Sequence, residues 1–164
     1  MLSPMEQELP PAYAELHCRS NFSFGLGASN PEELVARAHA LGYTALAITD
    51  ECSVSGVVRA HTEAKRLGLK LLPGAEFEVP MPSTGGVAGF RLIVLPHDLS
   101  AWGDLCEFIT VARRSAPKGQ YRVCWMDPAW ASLRACEVVL VLPTTINLEA
   151  AWAITTRARA IFDL

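Results

Sequence analysis

Residues Tyr43 to Gly56 read YTALAITDECSVSG. Five mostly apolar residues, Ala45 to Thr49, run directly into two carboxylates, Asp50 and Glu51, and polar residues then lead into a helical pattern. A buried strand that ends in acid and hands over to a helix puts its chemistry at the carboxyl end, where parallel α/β proteins form their crevice. Two other stretches have the same form. AELHCRS carries His17 near its end, and LKLLPGAEF carries Glu76. Three strand ends bearing His, Asp-Glu and Glu define a candidate site.

Working outward, Tyr13 to His17 reads as a short strand and Cys18 to Ser29 as a loop containing Ser20, Ser23, Gly25 and Gly27. Asn30, Pro31 and Glu33 then signal a helix start, with Asn as cap, Pro at the first helical position and Glu three beyond the cap. Leu34, Ala38 and Leu41 share a face, and Gly42 closes the helix. A second helix is expected from Ser53 or Ser55 to Leu67, stopped by Gly68, with Val57, Ala60, Ala64 and Leu67 inward. The third strand begins at Leu69 and continues through Glu76 towards Val79. Met81 to Gly89 is a loop rich in Pro and Gly, and Phe90 to Leu95 a fourth strand.

Ser100 is expected to cap a third helix with Leu105, Phe108, Ile109 and Ala112 on one face. Arg113 and Arg114 sit in its last turn, where cations suit the helix dipole. A strand over Tyr121 to Trp125 and a short helix after Pro128 come next, then a fifth strand, Glu137 to Leu142. Asn147 caps a final helix, Leu148 to Phe162. Strands alternating with helices read as a parallel sheet or an incomplete barrel. The chain stops after a helix, and a closed barrel of this kind takes roughly 200 residues or more, so the sequence reads as cut short.

Composition narrows the function. The 164 residues suffice for one domain with a substantial core. An apolar fraction of 51% against 19% charged residues argues for a folded globule. The net charge of −3 gives the whole chain no attraction for nucleic acid or anionic membrane. Five scattered cysteines, without CxxC, read as reduced thiols of a cytoplasmic protein. No apolar run has the length of a membrane span. MLSPMEQELPP reads as a loose leader, so residues 1–12 are set apart from a domain over 13–164. There is no Walker-type phosphate loop and no GxSxG elbow, and GLGAS is too short and wrongly placed for a dinucleotide fingerprint.

AELHCRSNFSF, ALAITDECSVSGVVRAH and LKLLPGAEF resemble the three opening motifs of the PHP (polymerase and histidinol phosphatase) domain. More narrowly, they resemble the amino-terminal PHP domain of the error-prone alpha-type subunits of bacterial DNA polymerase III. The resemblance covers the chain from Tyr13 onward. It implies an α/β fold, a distorted barrel of about seven βα units with mainly parallel strands, of which this chain holds an incomplete part.

Active PHP domains use His-x-His after the first strand, Thr-Asp-His after the second and Glu after the third to hold divalent metals for phosphoester hydrolysis. Carried onto this chain, the resemblance gives a degenerate metal site of His17, Asp50, Glu51 and Glu76. Arg19 replaces the second histidine and Glu51 the histidine of Thr-Asp-His. Arginine has no acceptor and does not deprotonate in proteins, so one ligand is lost. That argues against bound Zn²⁺, Mn²⁺ or Mg²⁺ and for polar residues that tie the strand ends together. The carboxylates would repel one another and burial would raise their pKa values. The guanidinium of Arg19 is therefore expected to pair with Glu51, or else with Glu76, where relatives hold metal.

Other residues receive plainer readings. His61 is expected to pack or cap on the second helix, His39 to lie at the surface and His97 to serve a loop, with Arg91 standing where another histidine would be sought. The tryptophans at 102, 125, 130 and 152 are expected as core or interface anchors. Arg113, Arg114, Lys118 and Arg122 form a basic cluster that could touch a phosphate backbone, a solvated helix end being the commoner arrangement.

Three functions are weighed. The first is a degenerate, scaffolding PHP module of an error-prone translesion polymerase. Its partners would be the remainder of the polymerase chain, DNA through that chain and other translesion factors. The second is a metal-dependent phosphoesterase or 3′–5′ exonuclease, and the third a non-catalytic interaction module. In the resembling family nucleotidyl transfer uses downstream carboxylates, so these residues alone are not expected to polymerise.

Overall fold

In the computed structural model residues 12–80 and 89–162 are described. The expected leader lies, but for Ala12, outside the described residues, as does the expected loop over 81–89 but for Gly89. The elements run β1 (Ala14–Glu15), α1 (Pro31–Ala40), β2 (Ala45–Glu51), α2 (Val57–Leu67), β3 (Lys70–Val79), β4 (Phe90–Pro96), α3 (Leu99–Arg114), a 3₁₀ helix (Pro128–Leu133), β5 (Cys136–Val141) and α4 (Leu148–Phe162). The strands form one sheet in chain order, β1 to β5.

β1, β2 and β3 pair in parallel, as strands joined by helices must. β4 is antiparallel to both β3 and β5, so four strands share a direction and β4 alone is reversed. The reason lies in the connection. Residues 80–89 are too few for the crossover of about a dozen or more that a parallel return requires. The expected mainly parallel sheet is thus a mixed one, an incomplete α/β barrel with one reversed strand.

Helix ends follow their local chemistry. The N–H of Asn30 donates to the Glu33 carboxylate at 2.8 Å, and Gly68 ends α2 in the left-handed conformation, φ 73°. At α3 the expectation needs correction. Asp98, not Ser100, is the cap, its carboxylate accepting from Ala101 N at 2.9 Å. The strand expected over Tyr121 to Trp125 is not formed, those residues being irregular or turn.

Packing separates the two faces of the sheet. Leu46, Ile48, Ala60, Ala64, Val35 and Ala38 seal α1 and α2 against β2. Phe77, Phe90, Leu92 and Val94 pack against α3, α4 and the 3₁₀ helix. Phe77, Phe108 and Trp130 meet in a mutual cluster with ring centroids 4.5–5.8 Å apart, and burying each such side chain contributes about 2 kcal/mol or more. On the other face, among the described residues, the cluster of Ala47, Ile93 and Leu95 packs against strand residues Leu72, Val139 and Val141. That helix-free face is the interior of the incomplete barrel. Because partners in register point the same way, Thr49, Glu51, Glu76, Glu78 and Arg91 all belong to it, and Asp50 belongs to the helix-covered face. No helix among the described residues is long and apolar enough to cross a membrane.

Candidate strand-end site

The site begins with the exit from β1. Cys18 N donates to Thr49 Oγ1 at 3.1 Å and Thr49 N to Cys18 O at 2.8 Å, so the first strand's exit stays bound to β2 after its ladder has ended. Residues 17 and 19 are two apart in this extended segment and share a side. Both reach Glu76 on β3. His17 Nε2 contacts Glu76 Oε2, and Arg19 Nη2 donates to Glu76 Oε1. Each carboxylate oxygen thus has its own partner.

Glu76 is 1% exposed. Burial works against its charge, but hydrogen bonds and charge from His17 and Arg19 outweigh burial and hold the carboxyl below the usual carboxylate range. The crowding expected to raise it is therefore overcome. Among the described residues the Nε of Arg19 is buried without a hydrogen-bond partner. The backbone behind the pair is fixed by Cys52, whose N–H donates to Glu76 O at 2.7 Å from a left-handed conformation, φ 45°.

Asp50 faces the other way. Its carboxylate accepts from Ser20 N at 2.8 Å, Ser20 Oγ at 2.7 Å and Ser23 Oγ at 2.7 Å, all buried. Gly56 completes this packing, since a Cβ there would lie 2.8 Å from Asp50 Oδ2 and 3.0 Å from Ser20 Oγ. Asp50 anchors the loop over 18–29 and shares no contact with Glu76.

Glu51 has a partner that sequence reasoning missed. Tyr121 Oη donates to Glu51 Oε1 at 2.9 Å and accepts from Glu78 N at 2.8 Å, bridging the ends of β2 and β3. Burial, chiefly, raises the Tyr121 phenol far above its ordinary pKa, so it stays a donor. No local pattern marks Tyr121, because its partners come from two strands 43 and 70 positions away. Arg113 Nε donates to Cys52 O at 3.1 Å and its Nη2 to Glu51 O at 3.0 Å, beneath the Tyr121 ring.

The structure thus gathers His17, Arg19 and Glu76, with Arg19 on Glu76 and not on Glu51. It ties Glu51 to Tyr121 and turns Asp50 to the opposite face. Arg113 is committed to backbone carbonyls, whereas Arg114, Lys118 and Arg122 are exposed. His97 lies at the opposite end of the strands because β4 is reversed, and its Nε2 is 3.2 Å from Glu137. His39 is exposed, and so is His61, on the outer side of α2 and not packed inward. Trp125 and Trp130 are core, but Trp152 is 71% exposed.

These residues do not fit a divalent metal. Among the described residues no group of three or more His, Cys, Asp or Glu side chains is placed to hold one. Both oxygens of Glu76 are engaged, one of them by a fixed cation.

The fold and this cluster define an incomplete α/β barrel with its polar site at the carboxyl ends of β1 to β3. The PHP domain model matches residues 15–142, and the chain belongs to the PHP domain family. It is 58% identical over 119 residues to an error-prone DNA polymerase of Ralstonia nicotianae, covering 73% of this chain and 11% of that protein. It is 50% identical over 141 residues to an error-prone DNA polymerase of Aromatoleum aromaticum, covering 85% of this chain and 12% of that protein. The chain therefore spans about a tenth of the length of these relatives. Among solved structures it is similar to a candidate metal-dependent phosphoesterase from Bifidobacterium adolescentis, with TM-score 0.52, 25% identity and coverage of 65% of this chain and 35% of that one. An amidohydrolase from Chromobacterium violaceum gives TM-score 0.50 and 27% identity, covering 63% and 34%.

Proposed function

We propose that this chain is the amino-terminal PHP module of an error-prone DNA polymerase, with a degenerate metal site and a scaffolding role for the rest of the polymerase chain. The observation that carries this reading is the guanidinium of Arg19 on Glu76 Oε1, with His17 on Oε2. A permanent positive charge among would-be ligands repels a divalent ion and supplies the countercharge the carboxylate needs. The cluster then joins β1 to β3 instead of activating water. The relatives' names support the polymerase assignment. Templated nucleotidyl transfer on damaged DNA, in the cytoplasm, belongs in this reading to the longer chain.

The competing reading is metal-dependent phosphoester hydrolysis, favoured only by the description of one structural neighbour. Two measurements separate them. The purified chain is expected to show no Mn²⁺-stimulated hydrolysis of bis-p-nitrophenyl phosphate, and Arg19→Ala in the polymerase is expected to lower its unfolding temperature. Mn²⁺-dependent turnover by the wild-type chain, lost in Glu76→Gln, would replace the scaffold with an enzyme.

A further inference from the structure

Beside the Glu76 clamp, and sharing neither His17, Arg19 nor Glu76 with it, lies a cavity of about 350 Å³. Its lining includes Phe24, Glu51, Arg113, Gly119, Gln120 and Tyr121. One wall comes from the loop over 18–29, which is bound down tightly. Ser23 N donates to Ser20 O at 3.0 Å, Gly27 N to Ser23 O at 2.9 Å and Asn21 N to Ser29 O at 2.8 Å, over the three donors held by Asp50. On this braced loop Phe24 is 89% exposed and Leu26 is exposed beside it. A braced backbone fixes the point from which this aromatic ring projects before any partner arrives, so the loop itself need not be ordered on binding.

The opposite wall is basic and aromatic. Arg113 underlies the Tyr121 ring, Lys118 precedes the lining residue Gly119, and Arg122 follows Tyr121 and lines an adjoining cavity with Glu51. Arg114, Lys118 and Arg122 are exposed, and among the described residues none of them forms an ion pair. Between the walls stand Gln120 and Glu51, an amide and a carboxylate able to meet the polar edge of a flat ring. Stacking rings flanked by phosphate-seeking cations, with polar groups between, are the elements of a single-strand nucleic-acid site. A duplex does not fit this chemistry, because its bases are already stacked and Phe24 would have no face to cover.

We propose that the rim formed by Phe24, Tyr121, Lys118 and Arg122 binds single-stranded DNA without cleaving it, an unpaired base stacking on Phe24 and its phosphates meeting Lys118 and Arg122. DNA is chosen over RNA because the inference rests on the function proposed above, the relatives being named DNA polymerases. With a net charge of −3 the chain as a whole repels the polymer, so the contact has to be local.

The test is fluorescence anisotropy of a labelled oligo(dT) of about twelve nucleotides with the 164-residue chain at low salt. Binding is expected to weaken as salt rises. Phe24→Ala should weaken it about fivefold or more, and Lys118→Ala with Arg122→Ala should weaken it and flatten the salt dependence. All three side chains are exposed, and unchanged thermal unfolding of the variants confirms that folding is not the cause. No binding at low salt, indifference to Phe24→Ala, or equal affinity for duplex DNA or oligo(U) each overturns the proposal. These outcomes leave the metal question untouched, since Arg19→Ala is expected to change stability and not oligo(dT) affinity.

Discussion

Arg19 and Glu76, 57 positions apart, form the ion pair that closes the strand ends, with Glu76 buried and the Arg19 side chain 20% exposed. A buried carboxylate stripped of its cation is far more costly than the intact pair is favourable.

Removing the cation should therefore be expensive. Arg19→Ala is expected to lower stability by about 3 kcal/mol, read by urea unfolding. Glu76→Gln leaves Arg19 partly solvated and should cost less, with the double variant well short of the sum. Additive losses would show that the two side chains act independently.

The same pair sets an acid limit. A carboxyl whose folded pKa lies below its unfolded value of about 4.3 adds stability that is complete above that value and is lost as pH falls through the folded pKa. Glu76 is such a group. In Arg19→Ala burial regains the upper hand, Glu76 takes up its proton at higher pH, and the acid limb of the stability curve moves upward. Superimposable acid limbs for the two proteins would contradict this.

Tyr121 serves two strands through one hydroxyl. Tyr121→Phe leaves Glu78 N and Glu51 Oε1 without that partner, and should cost about 1–3 kcal/mol while leaving the fold intact by circular dichroism. A neutral result would mean that water satisfies both groups equally well.

Asp50 is expected to act through its loop and not through chemistry. Asp50→Ala strands three buried donors, so the loop over 18–29 should become susceptible to limited proteolysis and stability should fall by about 3 kcal/mol. An unchanged cleavage pattern would remove Asp50 from its anchoring role.

Thiol chemistry checks the packing independently. Burial pushes the Cys52 thiol up to about 12 and the Cys136 thiol up to about 11, whereas Cys124 is exposed. Native protein at mildly alkaline pH should titrate Cys124 first with a disulfide reagent, leaving Cys52 and Cys136 unreactive until unfolding.

Much of this was legible before the fold was known. YTALAITDE reads as a buried strand ending in acid, and β2 ends at Glu51. Arg19 could be singled out because the resemblance to the PHP motifs puts it where their second histidine would stand. Its choice of Glu76 over Glu51 was not legible, since both strand ends are acidic and only the path of the β1 exit decides between them. The opposite facings of Asp50 and Glu51 follow from strand alternation, although the expectation had crowded both with Glu76 at one site. Tyr121 stayed hidden because a coil residue acquires its partners only from tertiary structure. The reversal of β4 was written in the shortness of residues 80–89, and it carries His97 away from the site and Arg91 towards it.

The most direct test of the central claim is metal content, measured by elemental analysis of the purified chain and by thermal unfolding with added Mn²⁺ or Zn²⁺. The account predicts far less than one ion per chain and an unchanged unfolding temperature, with Arg19→His and Glu51→His together gaining a metal-dependent rise. A near-stoichiometric ion in the wild-type protein, held by His17 and Glu76 with Arg19 displaced, would contradict it.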